Sequence, residues 1–324
     1  MQSKPLINNV SKNIQKSHKK NKMTEWKYFK KNKELFILSL PGVIYTFIFA
    51  YLPLLFLVVA FKRFRFDLGI LGSPWVGLDN FKFFFTSQAA AIITRNTVLY
   101  NLTFIVLTTV ISVTLAILLN EMTSKWLKIH QTLLFLPYFL SWVVVGYITQ
   151  AFLDSKSGLI NQLFETYGFS PVNWYQEAKY WPFIIILVHL WKHIGFATLV
   201  YYGGLMGIDS TYYEAAKIDG ASKWQMIKKI TIPLLMPLII ILFIVDMGKI
   251  FRAEFGLFYF VPNDVSFLYS STDVIDTYVY RSLRVVGDLG MATAVGLYQS
   301  IIGLILVVST NYIIRKINKD HALW

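Results

Sequence analysis

The sequence predicts an all-α integral membrane protein with six transmembrane helices. Of its 324 residues, 55% are hydrophobic and only 15% are charged, whereas a soluble domain carries about 25% charged residues. The apolar residues are concentrated in runs of about 20, the length that a helix needs to cross the hydrocarbon core. These observations argue against a large soluble helical protein. The lack of cysteine in the sequence excludes disulfides, thiolate metal sites and a cysteine nucleophile.

The amino-terminal tail, residues 1–35, is basic. It holds ten lysines in its first 33 residues, which contribute much of the formal charge of +13. Because the tail adjoins an apolar run, attraction to anionic lipid explains the charge more simply than nucleic-acid binding. Trp26, Tyr28 and Phe29 lie among lysines, so the end of the tail is a candidate for a short amphipathic helix in the membrane interface.

Hydropathy predicts six spans. In chain order they are residues 36–61, 98–119, 132–153, 181–206, 234–251 and 293–314. Long loops at 62–97, 154–180 and 252–292 lie on one side of the membrane, and a short tail at 317–324 ends the chain on the other. The long loops are predicted to offer a docking surface to an outside partner, and an interfacial belt of aromatic residues is the alternative.

The distribution of basic residues predicts which side is cytoplasmic. With the amino terminus inside, the inner segments hold 19 Lys and Arg residues and the outer segments hold ten. Both termini are therefore predicted to be cytoplasmic. The first outer loop runs against this bias, with five basic residues at Lys62, Arg63, Arg65, Lys82 and Arg95.

A polar segment separates the fourth and fifth spans on the predicted inner side. Thr211 and Glu214 are spaced as a capping box, which predicts a helix that begins near Thr211. Ala215 and Ala216 are strong helix formers with little bulk. A helix with such a small-residue face can approach another protein surface closely.

The same segment is predicted to turn and resume. Gly220 permits a sharp turn, residues 221–229 can form a second short helix, and Pro233 is placed at the start of the fifth span. From the residues alone, an ordinary capped loop is an equal alternative.

Ionisable residues within or at the end of spans are costly in hydrocarbon and are expected to pair or to face a cavity. They are Lys192, Asp246, Lys249, Arg252 and Glu254. Because Asp246 and Lys249 are three residues apart, they can pair on one helix face. A salt bridge that fixes packing is favoured, and a polar lining for a hydroxyl-rich solute is the alternative. Candidates to complete that lining are Trp191, Tyr201, Tyr202, Tyr298 and Gln299.

Motifs for catalysis, metal or nucleotide binding are not recognised. His189 and His193 are four residues apart in the fourth span, where packing or pore lining is favoured over metal binding, so no metal is predicted. The sequence contains no Gly-x-x-x-x-Gly-Lys-Ser/Thr and therefore no recognisable P-loop for ATP. No repeat relates the first three spans to the last three, which weakens the case for an inverted-repeat secondary transporter.

The polar segment resembles the signature loop of the permease subunits of binding-protein-dependent ABC importers. Three blocks carry the resemblance: Glu214-Ala215-Ala216, Asp219-Gly220-Ala221 and, after nine residues from Gly220, Ile230-x-Ile232-Pro233. The family has Leu before the proline, so Ile232 is a mild departure. In that family the loop forms a coupling helix that inserts into a groove of a cytoplasmic ATPase.

Further segments resemble the carbohydrate-importing branch, in particular polysaccharide-type, LplB-like permeases similar to those of the maltose and alginate importers. These segments are Val76-Gly77-Leu78-Asp79-Asn80-Phe81, Asn96-Thr97, Leu136-Pro137, Gly158-Leu159-Ile160-Asn161, Trp191-Lys192-x-Ile194-Gly195-Phe196, residues 273–281 and residues 290–297. The resemblance covers roughly residues 35–316.

The resemblance implies a type I ABC importer transmembrane domain, with a core at 98–316 and a coupling helix at about 210–230. It implies one half of the translocation pore of an ATP-driven importer of oligosaccharides or related glycans in a bacterial cell membrane. This chain would perform no covalent chemistry and bind no cofactor. The implied partners are a second homologous permease, two cytoplasmic ATPase subunits that bind ATP and Mg²⁺, an extracellular solute-binding protein and membrane lipid.

The resemblance also implies roles within the coupling loop. Glu214 is expected to make a polar contact to the ATPase, Ala215 and Ala216 to form the close-approach face, and Gly220 to make the turn, flanked by Asp219 and Ala221. Two alternatives stand beside this interpretation. One is the same machine with a non-sugar solute, and the other is an ion-driven secondary transporter that uses the charged residues of the spans, Asp246, Lys249 and Lys192, as a relay.

Overall fold

The computed structural model describes residues 32–82, 86–122, 124–317 and 322. Within these ranges the regular structure is helical, apart from an isolated antiparallel bridge between Lys62 and Trp75. The predicted all-α class is therefore confirmed. The amphipathic helix predicted for the basic tail, and nearly all of the tail at 317–324, lie outside the described residues.

The α-helices of the described residues are numbered in chain order. They are α1 (Lys33–Thr46), α2 (Gly69–Gly72), α3 (Gln88–Asn120), α4 (Ser124–Phe135), α5 (Trp142–Leu153), α6 (Leu159–Thr166), α7 (Trp181–Met206), α8 (Ser210–Ile218), α9 (Lys223–Met226), α10 (Ile232–Met247), α11 (Phe255–Phe260), α12 (Tyr269–Thr272), α13 (Ile275–Arg281) and α14 (Leu289–Ile317). Short 3-10 and π-helical turns connect or extend several of them.

Within the described residues, the helical stretches long and apolar enough to span a membrane agree with six spans. Five are continuous: Lys33–Phe61, Gln88–Asn120, Ala178–Met206, Lys223–Met247 and Leu289–Lys316. The sixth is a pair, Lys125–Phe139 and Trp142–Leu153, with a bend of 99° between its halves. The fifth span thus begins well before Leu234, because hydropathy does not register its polar first turns.

The chain divides into two compact units between Leu57 and Val58. In the first unit α1 continues as a π-helical turn, Phe47–Tyr51, and then as the 3-10 segment Leu52–Phe61, which extends into the second unit. The side chains of α1 are predominantly apolar and exposed, as a helix surrounded by lipid requires.

In the second unit, α3 and α7 pack along each other. The main buried cluster draws on α3, α5, α7, α11 and residues 261–274: Tyr100, Phe104, Val145, Trp181, Ile185, Val188, Leu257, Phe258, Val261, Leu268 and Val274. Part of the segment predicted as the third outer loop is therefore core, since Leu257 and Val261 are fully buried. That part of the loop is not available for docking a partner.

Close approach of α4 and α7 depends on a glycine. A Cβ atom at Gly195 would overlap the carbonyl oxygen of Leu134, which belongs to the backbone of α4. By contrast, a Cβ at Gly203, on the same helix α7, meets nothing within 4 Å. Gly195 therefore sets the distance between the third and fourth spans.

Candidate functional site

Between the fourth and fifth spans, the polar segment begins as helix α8. The N-cap is Asp209, whose carboxylate accepts a hydrogen bond of 2.9 Å from the backbone N–H of Thr211. This bond lowers the pKa of Asp209, because it stabilises the carboxylate form. The predicted Thr211–Glu214 capping box is therefore wrong. Glu214 instead accepts a hydrogen bond of 3.3 Å from the Ser210 hydroxyl.

Helix α8 ends in a Schellman motif, in which a left-handed residue closes the last turn. The N–H of Ala221 donates to the carbonyl of Ala216 at 2.9 Å, and the N–H of Gly220 donates to that of Lys217 at 3.1 Å. Gly220 has a φ of 76°, a backbone conformation that suits glycine. The geometry of Gly220 is that of a sharp turn between two helices.

The next helix is the first part of the fifth span. Ser222 and Gln225 form the capping box of this segment, with hydrogen bonds of 3.3 Å and 2.7 Å between each side chain and the backbone of the other residue. Helix α9 then passes through a π-helical turn, Ile227–Thr231, directly into α10. Pro233 lies in the first turn of α10, inside this continuous helix, and does not open the span as predicted. The turn is therefore joined to the fifth span by an unbroken run of helical residues.

The tip of this helix–turn–helix is exposed. Glu214, Ala215, Asp219 and Gly220 are exposed, whereas Ala216 and Ala221 are half-buried. Two large apolar side chains flank the turn, with Ile218 at 87% and Trp224 at 72% exposure. Exposed apolar side chains beside small residues form a surface suited to contact with another protein.

Two side-chain contacts hold the base of the helix–turn–helix to its neighbours. The hydroxyl groups of Tyr213 and Thr231 are 3.0 Å apart, which joins α8 to the π-helical turn. Lys223 forms an ion pair with Glu121, at the end of α3. The pair is exposed, so it adds little stability, but it fixes where the segment lies. A polar cavity of about 240 Å³ lies beside this base.

Lys192, a predicted pathway residue, is hydrogen-bonded to the backbone. It is 5% exposed, and its ammonium group donates to the carbonyl oxygens of Tyr138, at 2.8 Å, and Leu140. These carbonyls lie at the bend of the third span. The Trp142 ring, 5.1 Å from the ammonium, adds a cation–π contact. Lys192 thus satisfies polar groups that a bent span would otherwise leave free in the membrane.

Three further pathway candidates, Tyr201, Tyr202 and Trp191, differ in their surroundings. Tyr201 is 3% exposed and packs against Ala116, Leu205 and Leu235, with Tyr202 at the edge of that cluster. Trp191 is 43% exposed on α7.

The charged candidates at the end of the fifth span do not pair as predicted. Asp246 is half-buried and Lys249 is exposed, and although both residues are described, no ion pair joins them within 4.0 Å. Arg252 donates to the Ser300 hydroxyl at 2.9 Å instead.

Gln299 holds the chain where the fifth span ends. It is 7% exposed and donates to the carbonyl oxygen of Phe251 at 2.6 Å and to Asp276 at 3.3 Å. Asp276 also accepts from the N–H of Ala253 at 2.7 Å, and burial raises the pKa of its carboxyl group. Tyr298 meets the Phe251 ring edge-on. These contacts are structural in character.

Two asparagines from the segments that carry the carbohydrate-branch resemblance also form hydrogen bonds with the backbone. Asn80 donates to the carbonyls of Ala60 and Lys62 at 2.8 and 3.0 Å. Asn161 bonds both the carbonyl and the N–H of Val172, at 2.9 and 3.1 Å. In this structure these residues organise the loops rather than bind a ligand.

The fold assembles a polar group in the spans that spacing in the sequence did not reveal. One carboxylate oxygen of Glu254 is hydrogen-bonded to Nε2 of His193 at 2.9 Å. The same oxygen is 3.9 Å from Nδ1 of His189. The other oxygen of Glu254 accepts a hydrogen bond of 2.6 Å from the Trp142 indole. The sequence predicts that Glu254 pairs or faces a cavity, but its partner His193 is 61 residues away in the chain, and no spacing rule connects the two.

The fold and the exposed helix–turn–helix together define a multi-span membrane protein that presents a rigid contact surface between two spans. The chain belongs to the family of binding-protein-dependent transport system inner membrane components, which matches residues 89–319. It is therefore a membrane permease subunit and not a catalytic one.

Individual relatives match almost the whole chain. YteP of Bacillus subtilis, a polygalacturonan/rhamnogalacturonan transport system permease protein, is 32% identical over 89% of this chain and 89% of its own length. Protein LplB of the same organism is 33% identical over 90% and 91%. A chain in the crystal structure of a bacterial ABC transporter that imports the acidic polysaccharide alginate matches with a TM-score of 0.82 and 31% identity, over 90% of this chain and 99% of that chain. The predicted type I ABC importer fold is thereby confirmed.

Proposed function

We propose that this chain forms one half of the translocation pore of an ATP-driven importer of oligosaccharides or related glycans. Support for the cargo comes from relatives that match nearly end to end and are named for the transport of polygalacturonan and rhamnogalacturonan or of alginate. Membership of a binding-protein-dependent family argues against the ion-driven alternative.

The observation that carries the coupling mechanism is the continuity of the helix–turn–helix with the fifth span. Glu214, Ala215 and Ala216 lie on α8, and Asp219, Gly220 and Ala221 form the turn that joins it to α9. A cytoplasmic ATPase subunit, which itself binds ATP and Mg²⁺, contacts this exposed tip. Its closure on ATP moves the tip, and α9 transmits the movement through the π-helical turn into α10, with which it forms one continuous helix.

The remaining partners follow from the same scheme. A second, homologous permease completes the pore, and each permease receives one ATPase subunit. An extracellular solute-binding protein delivers the glycan. In its support, a second alginate importer structure, which matches this chain with a TM-score of 0.82 and 30% identity, holds a periplasmic protein with bound alginate pentasaccharide. Both termini and the coupling tip then lie in the cytoplasm.

Fewer residues are proposed to line the substrate pathway than the sequence alone suggests. Trp191, Asp246, Lys249 and Tyr298 stay candidates. Lys192, Tyr201 and Gln299 are proposed to shape the pathway indirectly, because their polar groups or rings are occupied by contacts within the fold.

Reversal of charge at the tip tests the coupling assignment. Glu214→Lys, assayed in the assembled transporter in lipid nanodiscs and in whole cells, should abolish glycan uptake and the stimulation of ATP hydrolysis by the solute-binding protein. Insertion in the membrane should be unchanged, because Glu214 is exposed and its one described hydrogen bond is local.

Lys128→Glu is the matched control, since it reverses an exposed charge on α4, outside the helix–turn–helix. It should retain uptake. Normal transport by Glu214→Lys would overturn the coupling assignment. Uptake competition with labelled polygalacturonan, alginate and neutral oligosaccharides tests the cargo separately, and the absence of competition by any glycan would contradict it.

A further inference from the structure

The polar group formed by His189, His193 and Glu254 offers three ligand atoms that converge. The two imidazoles are one helical turn apart on α7, and Glu254 reaches them from the segment that follows the fifth span. One nitrogen of each histidine and a carboxylate oxygen all lie within 4.8 Å of one another. In a tetrahedral site with bonds of about 2.0–2.1 Å, ligand atoms are separated by roughly 3.3 Å, so modest side-chain shifts would centre an ion.

Hydrogen bonds within the protein leave one polar atom of these three side chains without a partner. His193 is bonded to Glu254 at 2.9 Å, but Nδ1 of His189 is buried and has no hydrogen-bond partner in the structure. A buried polar atom without a partner is costly. An ion placed between the three side chains would give this nitrogen a ligand role and would balance the charge of the half-buried Glu254 carboxylate.

Neighbouring side chains restrict the orientation of two of the three proposed ligands. The Trp142 indole donates to the Glu254 oxygen that faces away from the histidines, which leaves the other oxygen for an ion. The ring of Phe104 stacks on His189 with ring centres 3.7 Å apart and planes inclined by 7°. A hydrogen bond to a ligating carboxylate orients it and raises metal affinity, and the stacked Phe104 ring limits the rotamers of His189.

We propose that His189, His193 and Glu254 form a binding site for a divalent transition-metal ion, with Zn²⁺ as the best match. Two imidazoles and one carboxylate are a ligand set of zinc sites, and a fourth position stays open to water or another ligand. The ion joins the middle of the fourth span to the segment after the fifth span, so its binding favours one packing of these elements. This inference departs from the expectation that the chain holds no metal.

Metal binding can be measured without any transport assay. The assembled transporter, stripped with a chelator and reconstituted in nanodiscs, is titrated with Zn²⁺ against a chromophoric chelator. Wild type should bind one more Zn²⁺ per copy of this chain than His189→Ala or Glu254→Gln. Co²⁺ should give visible absorption bands of a low-symmetry site in wild type and lose them in both variants. Trp142→Phe should weaken binding by about 10–100-fold, as removal of a supporting contact does.

His130→Ala is the matched control, because His130 is exposed on α4 and lies outside the group; it should bind as wild type does. Thermal unfolding without metal checks that each variant is folded. If the alanine variant is unfolded, Glu254→Gln, which keeps the shape of the side chain, serves as the test. Equal Zn²⁺ binding by wild type and Glu254→Gln, or no binding by folded wild type, would overturn the proposal.

Discussion

At the scale of single residues, Lys192 shows how a charge can be stable within a span. Its ammonium donates hydrogen bonds to backbone carbonyls at the bend of a helix. The sequence marks Lys192 as costly in hydrocarbon, but its partners are backbone atoms more than 50 residues away. Backbone acceptors carry no sequence signal, so a partner of this kind cannot be predicted from composition or spacing.

Replacement of Lys192 by methionine keeps most of the volume of the side chain and removes the donors. The carbonyls of Tyr138 and Leu140 would lose their bonds, and an unsatisfied buried acceptor costs about 1–3 kcal/mol. Relief from burying a charge offsets part of this cost. We expect the unfolding temperature of the assembled transporter to fall in Lys192→Met.

The control for this experiment is Lys156→Met, which removes an exposed lysine from an outer loop and should leave the unfolding temperature unchanged. If Lys192→Met were as stable as wild type, the carbonyls would have another partner, and the role assigned to Lys192 would be incorrect.

At the scale of elements, the coupling segment was largely predictable and its caps were not. The small residues and the glycine correctly predicted two helices and a turn, whereas the proline did not mark the start of the fifth span. The capping box, however, forms at Ser222 and Gln225, while Asp209 caps α8. Several residues of this segment can act as caps, and the choice between them depends on where the preceding span ends, which hydropathy defines only loosely.

The contact between α4 and α7 provides a test at the same scale. Gly195→Ala places a Cβ against the Leu134 carbonyl, a backbone atom that cannot rotate away, so the two helices must separate. Gly203→Ala adds the same methyl group to the same helix in open space. We expect Gly195→Ala to lower the yield of folded protein and its unfolding temperature, as overpacking typically costs 1–3 kcal/mol or more.

Gly203→Ala should be neutral or slightly stabilising, since alanine is the better helix former. Size-exclusion profiles and thermal unfolding of both variants, purified in parallel, measure the difference. Equal behaviour of the two variants would show that α4 and α7 can move apart freely.

At the scale of the whole molecule, hydropathy predicted the number of spans but not the depth of the third outer loop. Residues 257–274 contribute several members of the main buried cluster, although they lie outside any predicted span. Their burial depends on packing against α3, α5 and α7. No local pattern distinguishes an aromatic-rich loop that folds inward from one that covers the surface.

Orientation in the membrane is a property of the whole molecule that the chain itself makes easy to measure, because it contains no cysteine. Single cysteines can be introduced at Lys125, exposed at the start of α4, and at Phe267, which is 72% exposed in the segment after α11. With both termini cytoplasmic, Phe267→Cys should react with a membrane-impermeant maleimide in intact cells. Lys125→Cys should react only after the membrane is permeabilised, and both should react fully in detergent with denaturant. The opposite pattern would place the segment between the fourth and fifth spans outside the cell, where no cytoplasmic ATPase could reach Glu214, and would contradict the proposed coupling even if transport itself depended on that residue.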